Sequence, residues 1–347
     1  MKKNYLFELQ LFAGENNPTL NTQTTALADT STPNDLSPTM KTFYRTNLLE
    51  NARSEHYFSQ FGQKVPLPKN SGNIVEWRKF DTFAKALTPL TEGVTPDGNK
   101  INMSKITSLV GQYGDYTTVS DLLELRAIDP IISRVTEEHG AQAGDTIDTV
   151  IRNAVVAGSN VIYAPKLAAD GTETEITERA NIDKTCRITP KLVDQVVTLL
   201  KKQKAPKING YYVAVIHPSV SYDLRESAAW LDAHKYSQPT EIFNGEIGML
   251  HGVRFIEDAD AKVWTNTNGA VYATMFFGRD AYGIIDPTAE SMEVIVKQRG
   301  SAGTSDPLDQ RGTVGWKAST AAKILYEERM VRLETGSSVF SSVDTAN

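Results

Sequence analysis

The stretch from Ser120 to Gly158, SDLLELRAIDPIISRVTEEHGAQAGDTIDTVIRNAVVAG, constrains this chain most. Asp129-Pro130 reads as a helix start. Aspartate caps the free N–H groups of a first turn, and proline suits the first helical position because its missing N–H would be unpaired there. From Pro130 onward Ile131, Ile132, Val135, Ala143, Ile147, Val150, Ile151, Ala154 and Val155 recur mostly at a three-to-four spacing, one stripe along a helix. Gly158-Ser159-Asn160 supplies the stop. The expected rod is about 40 Å long, against a usual helix of about 11–12 residues. Arg134, Glu137, Glu138, Asp145 and Arg152 are expected on its other faces, with the Glu137-Glu138-His139 run solvated. Ser120-Asp121 with Glu124 starts a helical lead-in, and Pro130 bends or restarts the rod. Gly140 and Gly144 lie four apart on one side, each costing about 1 kcal/mol relative to alanine. Either another backbone passes close there, or a helix anchored elsewhere tolerates them.

Upstream of the rod the pattern is extended. GNIVEWRKFDTFAKAL (72–87) and INMSKITSLVGQYGDYTTVS (101–120) are β-branched and aromatic, and TPLTEGVTPDGN (88–99) between them carries the turn dipeptide Asp97-Gly98. The two runs predict a long hairpin feeding directly into the rod. Arg78, Lys79, Lys85, Glu92, Asp97, Lys100 and Lys105 give it mixed charge. A two-stranded hairpin is marginal alone in water, so these residues are candidates for contact with a partner surface. Residues 41–63 read as helical. Residues 13–40 are rich in Thr, Asn, Ser and Pro with little to bury. The run before them contains Leu6, Phe7, Leu9, Leu11 and Phe12, too apolar for a mere tail, and points to an arm docked on another subunit.

Downstream, residues 161–186 are polar and loop-rich. Thr189-Pro190 caps a helix to about Gln203, with Leu192, Val193, Val196, Val197 and Leu200 inward. Lys201, Lys202, Lys204 and Lys207 cluster at its end, where the helix dipole favours cations. Tyr211–Ile216 is a strand, His217-Pro218 breaks it, and a short helix runs from Ser219 to about Glu226. Trp230, Tyr236 and Phe243 stand among polar residues in 228–245. Further strands are expected in 245–258, across 271–286 as one run, and in 291–299. Residues 301–312 are an exposed loop, and 313–335 mainly strand. No internal repeat is visible. The fold class is α+β.

Composition excludes several functions. The chain has 347 residues, a net charge of −6 and a single cysteine, Cys186. The acidic balance argues against a dedicated nucleic-acid binder, and no intramolecular disulfide can form. Met1-Lys2-Lys3 before YLFELQLFA imitates a signal peptide, but Glu8 and Gln10 interrupt a short apolar run. The chain is read as cytoplasmic when made. None of the five histidines, His56, His139, His217, His234 and His251, forms a zinc pair. There is no phosphate loop, and Gly245, Gly248 and Gly252 precede a strand where a dinucleotide fingerprint must follow one. Neighbouring carboxylates such as Glu327-Glu328 point opposite ways in a strand. No catalytic, metal or cofactor-binding residue is nominated. The chain is read as a non-enzyme whose product is an assembly.

The order of elements resembles the major capsid protein of tailed bacteriophages, the Hong Kong 97-type shell fold, and most closely the N4-like phage family. LQLFAG (9–14), LTEGVTPDG (90–98), QYGDYTTVSDLLEL (112–125), PKINGYYVAVIHPSV (206–220), NGEIGMLHGVRFIE (244–257) and DQRGTVGWKASTAAKILYEERMVRLE (309–334) carry the likeness. The resemblance implies an N-terminal arm (1–60), an extended hairpin loop (61–119), a spine helix of a peripheral domain (120–160), an axial domain (161–270), and a return to the peripheral domain with the C-terminal tail (271–347). It implies an icosahedral shell of pentamers and hexamers around double-stranded DNA. Partners would be other copies of the chain, a separate scaffolding protein, a portal, a decoration protein, and DNA by non-specific contact, with no membrane. A chain that makes both five- and six-fold rings needs hinges, for which Gly111, Gly114, Pro130 and Gly158 are candidates. Some family members cross-link a loop lysine to an asparagine, but no motif marks a reactive pair at Lys85, Lys100 or Lys105. The alternative is a nanocompartment shell of the same fold around enzyme cargo.

Overall fold

The rod is present as a helix of 26 residues, Ile131–Val156, and two sheets are arranged on it. The computed structural model describes residues 57–68, 72–81, 83–90, 92–95, 98–126, 131–168, 171–227, 248–286, 292–299, 306–340 and 342–347. The chain divides into two units, Met1–Asn51 and Ala52–Asn347, and every described residue lies in the second.

In chain order the elements are α1 (Phe58–Phe61), β1 (Gln63–Pro66), β2 (Ile74–Phe80), β3 (Met103–Leu109), β4 (Gly111–Ser120), α2 (Asp121–Arg126) and the rod α3 (Ile131–Val156). Then come β5 (Val161–Tyr163), β6 (Lys166–Leu167), β7 (Glu173–Thr174), α4 (Pro190–Lys202), β8 (Tyr212–Ile216) and α5 (Pro218–Glu226). The strands that follow are β9 (Gly248–Leu250), β10 (Val253–Glu257), β11 (Val263–Asn266), β12 (Gly269–Phe277), β13 (Tyr282–Asp286), β14 (Glu293–Lys297), β15 (Arg311–Ile324) and β16 (Met330–Thr335), the last two parted by a 3-10 turn at Glu327–Arg329.

The seven-stranded sheet runs β5-β16-β12-β8-β10-β9, with β11 also on β12. Its centre is apolar because it is covered. Every residue of β8 is buried, and β8 and β10 pair in parallel from Val253↔Tyr212 to Glu257↔Ile216. Helix α4 adds to this core. The Thr189 hydroxyl accepts the Leu192 N–H at 3.3 Å, Pro190 opens the first turn, and the five inward residues expected from its period are all buried. Each such side chain contributes about 1.5–3 kcal/mol by leaving water.

The five-stranded sheet is built on β15, which pairs β4 from Arg311↔Ser120 to Thr320↔Gly111, as well as β14 and β13. Strand β1 joins β13 in parallel. The rod serves both sheets. Its first half packs Ala143 on Trp316 and Ala318, and the Trp316 indole N–H donates to Gln142 at 3.0 Å. Its second half packs Ile151 and Val155 with Val215, Met275 and Tyr282. The last turn is closed by Arg332, which donates to the carbonyls of Val156 and, at 2.9 Å, Gly158. Buried Glu334 holds Arg332 at 2.8 Å and Arg179 at 2.6 and 2.7 Å.

Several sequence expectations are corrected. Residues 271–286 are two strands in different sheets, parted by a turn in which Asp280 has φ +56. Residues 101–120 also change partner, so the hairpin ladder ends at Leu109 and 111–120 belongs to the five-stranded sheet. Of the helix expected over 41–63, the described part is only Phe58–Phe61, and Gln63–Pro66 is strand. His139 is buried, bonded to Thr117 at 2.9 Å and Gln142 at 3.1 Å. Arg152 is buried too, whereas Glu137 and Glu138, next to His139, are exposed as expected. Around Gly140 nothing lies within 4 Å of where a Cβ would be, so no backbone passes close there. In the 301–312 loop Asp306 is buried and accepts the Arg311 N–H at 2.8 Å. Residues 228–245, with Trp230, Tyr236 and Phe243, lie outside the described residues.

Candidate assembly surfaces

The β2–β3 hairpin has two unlike faces because side chains alternate along a strand. One face is held by the five-stranded sheet. Val75 packs with Ile285 and Ala321, and the Trp77 ring lies so close to Gly283 that an added Cβ there would meet it at 2.8 Å. Lys79 reaches Glu328 at 3.8 Å and the Tyr326 ring at 4.5 Å. The other face is turned away from this sheet. Its cross-strand rows are Ile74↔Leu109, Glu76↔Thr107, Arg78↔Lys105 and Phe80↔Met103. The end rows are apolar and exposed. In the middle Arg78 and Lys105 stand opposite each other and share one carboxylate, Glu76, at 3.3 and 3.7 Å. Like charges directly opposite disfavour pairing, and a single Glu76 leaves this face one cation in excess.

Ladder pairing stops just past Phe80, with the Asp81 N–H on the Asn102 carbonyl at 3.1 Å. The strand expected to reach residue 87 is therefore shorter. The limbs beyond carry Phe83, Leu87, Leu90, Val94 and Ile101, all exposed, with Leu87 82% accessible. Lys85, Glu92 and Lys100 are exposed on the same limbs. Of the remaining expected contact and hinge residues, Phe7, Leu9, Leu11, Phe12, Asp97 and Pro130 lie outside the described residues.

A second apolar surface surrounds the rod's start. Leu122, Leu123 and Leu125 on α2 are exposed, as are Val294 and Val296 on β14. A cavity of ≈ 460 Å³ lies between Val119, Ile132, Val296 and Val314, with Lys297 and Arg299 at its lining. Sequence reading missed this surface, although three leucines within five residues of a short helix were its signal.

The glycines expected to hinge occupy packed positions. Gly111 opens β4 and Gly114 lies inside it, and a Cβ at Gly114 would meet the Trp316 carbonyl at 2.6 Å. Gly158 ends the rod against Met330 and Glu327. Chemistry-bearing groups serve structure. Burial pushes the Cys186 thiol up, and its sulfur lies 3.5 Å from Asp183. Burial also acts on Asp183, but hydrogen bonds from Lys166 and Thr185 outweigh it and hold that carboxyl well below the usual range. Among the described residues no group of three or more His, Cys, Asp or Glu could hold a metal, and no helix is long and apolar enough to cross a membrane.

A profile of the phage capsid protein family matches residues 117–293, just over half of the chain. The chain belongs to that family. As a phage capsid protein it is a structural component of the virion, and its α+β fold is that of solved capsids. It superposes on the capsid of cyanophage Pam1 with a TM-score of 0.68 and 14% identity, covering 90% of this chain and 100% of that one. For cyanophage P-SCSP1u the values are 0.67 and 11%, covering 89% and 97%. For Ralstonia phage GP4 they are 0.65 and 13%, covering 89% and 98%. No curated protein matches the chain.

Proposed function

We propose that this capsid protein closes an icosahedral shell of pentamers and hexamers around the double-stranded DNA of a tailed phage, one of the N4-like kind, assembled in the bacterial cytoplasm. Residues 1–60 act as an arm onto another subunit, the hairpin within 61–119 as the loop that lies over a neighbour, 120–160 as the spine, 161–270 as the axial domain, and 271–347 as the peripheral return and tail. A separate scaffolding protein, a portal and a decoration protein complete the partners.

One observation carries this reading. The hairpin's inner face is packed on the chain's own sheet, while the far end of its outer face and its limbs expose Phe80, Phe83, Leu87, Leu90 and Ile101. Several large apolar side chains exposed beside charge mark a protein contact, and burial would stabilise that contact by about 25 cal/mol per Å². Many modest contacts of this sort suit a shell, since each must form at every copy and stay weak enough to correct. The excess cation beside Glu76 calls for a carboxylate from the neighbour. Acidic net charge keeps the chain from gripping DNA, which binds through phosphate neutralisation.

The test is negative-stain microscopy with light scattering on full-length chain and on chain lacking residues 88–99, each co-produced with a scaffolding protein of the same phage. Closed particles are expected from the first, and rings or free capsomers from the second. Closed particles from the shortened chain would remove the bridging role. Monomers from both would overturn the assembly reading.

A further inference from the structure

Where the rod meets the seven-stranded sheet, buried charged groups are left incompletely bonded. Asp148 and Arg152 of α3 are buried there, and so is Asp258, the residue after β10. Arg152 donates to the Asp260 carbonyl, and its Nε has no partner. Asp258 accepts the Asp260 N–H on Oδ1 at 2.9 Å, and its buried Oδ2 has no partner. Asp148 accepts the Ser59 N–H at 2.9 Å, which ties α1 to the same place. Two buried carboxylates and one guanidinium therefore meet here. Other charged groups stand nearby among the described residues. Asp260, on the same turn, adds a third carboxylate at the surface. Lys262 is bonded to the Asn347 carbonyl. On the α5 side, His217 faces Asp260, Glu257 and Asp344, and burial holds its pKa below the ordinary value.

A carboxylate oxygen kept from water without a donor is costly, and taking up a proton removes the cost. We infer that the joint between the rod and the Asp258–Ala261 turn is a proton-operated latch, charged and loosened in neutral surroundings, uncharged and closed in mildly acidic ones. The latch goes beyond the assembly reading and would stand without it.

Burial, reinforced by Asp260 and Asp148 and opposed by the Asp260 N–H and Arg152, pushes the Asp258 carboxyl up to about 6. The folded value lies above that of an open chain. Stability at the joint is therefore gained as pH falls through about 6, and the gain is complete below the open-chain value of 3.8. Between pH 7.5 and 5.0 this linkage makes local opening roughly tenfold rarer.

Hydrogen exchange on the full-length chain at the two pH values, corrected for intrinsic exchange rates, reads the latch. Amides of residues 145–156 and 258–263 should open about tenfold less at pH 5.0, with α4 amides as the reference. In Asp258→Asn the pH difference should vanish, and protection at pH 7.5 should already be raised. Equal wild-type protection at both pH values would overturn the latch, whatever the variant does. A pH difference that persists in Asp258→Asn would overturn the assignment to this residue.

Discussion

The seven-stranded sheet and the β2–β3 hairpin use the same kinds of residue to opposite ends. Strands β8 and β16 bury every residue. Strands β2 and β3 together bury fully only Val75. Val, Ile and Phe in the sheet find α4, the rod and one another, whereas those on the hairpin's outer face and limbs find no cover among the described residues. Apolar content therefore reports that a residue will be buried, and topology decides whether its own chain or another provides the cover.

Substitutions can break this comparison, and the largest effect belongs to the sheet. Phe276 is fully buried, edge-on to Phe255 at 6.1 Å. Phe276→Ala should lower unfolding free energy by about 3–5 kcal/mol in denaturant titration of unassembled chain. Leu87→Ala in the same titration should change it by less than about 0.5 kcal/mol, while reducing particle yield. A large folding loss at Leu87 would mean that the hairpin limb belongs to the chain's own core.

Glycines sharpen the contrast on a smaller scale. Gly315→Ala would push a Cβ to 2.7 Å from the Asp115 carbonyl across the β4–β15 ladder, and should destabilise the chain by about 1–3 kcal/mol. Gly140→Ala enters open space on the rod, and should stabilise by up to about 1 kcal/mol. Thermal unfolding of the two variants checks both signs.

Much of this was legible because local signals agreed with the tertiary outcome. Thr189-Pro190 and the apolar period from Leu192 to Leu200 marked α4, and the same logic marked the rod. Partner changes were not legible. At Val110 the next residue, Gly111, marks a break, but a lone glycine does not say which strand is paired next; here the chain passes from pairing β2 to pairing β15. At 278–281 the Gly-Arg-Asp turn was present, but apolar residues on both sides hid it. Arg152, His139 and Asp258 carry charge or polarity that period alone assigns to solvent. Their burial follows from the residues brought against them, such as Thr117 of β4 and Asp260 of the turn after β10. The C-terminal tail was likewise silent, although Asp344 accepts from Ser219 at 2.8 Å and from Tyr272 at 2.6 Å.

The most direct test of the central claim is a site-specific cross-link from the hairpin. Cys186 is buried, so Leu87→Cys provides the accessible thiol for a short photo-activated reagent. Particles assembled from a mixture of isotopically light and heavy chains, irradiated and digested, reveal whether each adduct joins two chains or one. The account predicts light–heavy adducts as the main product. Adducts confined to single chains would contradict it, because the exposed hairpin would then be covered by its own subunit.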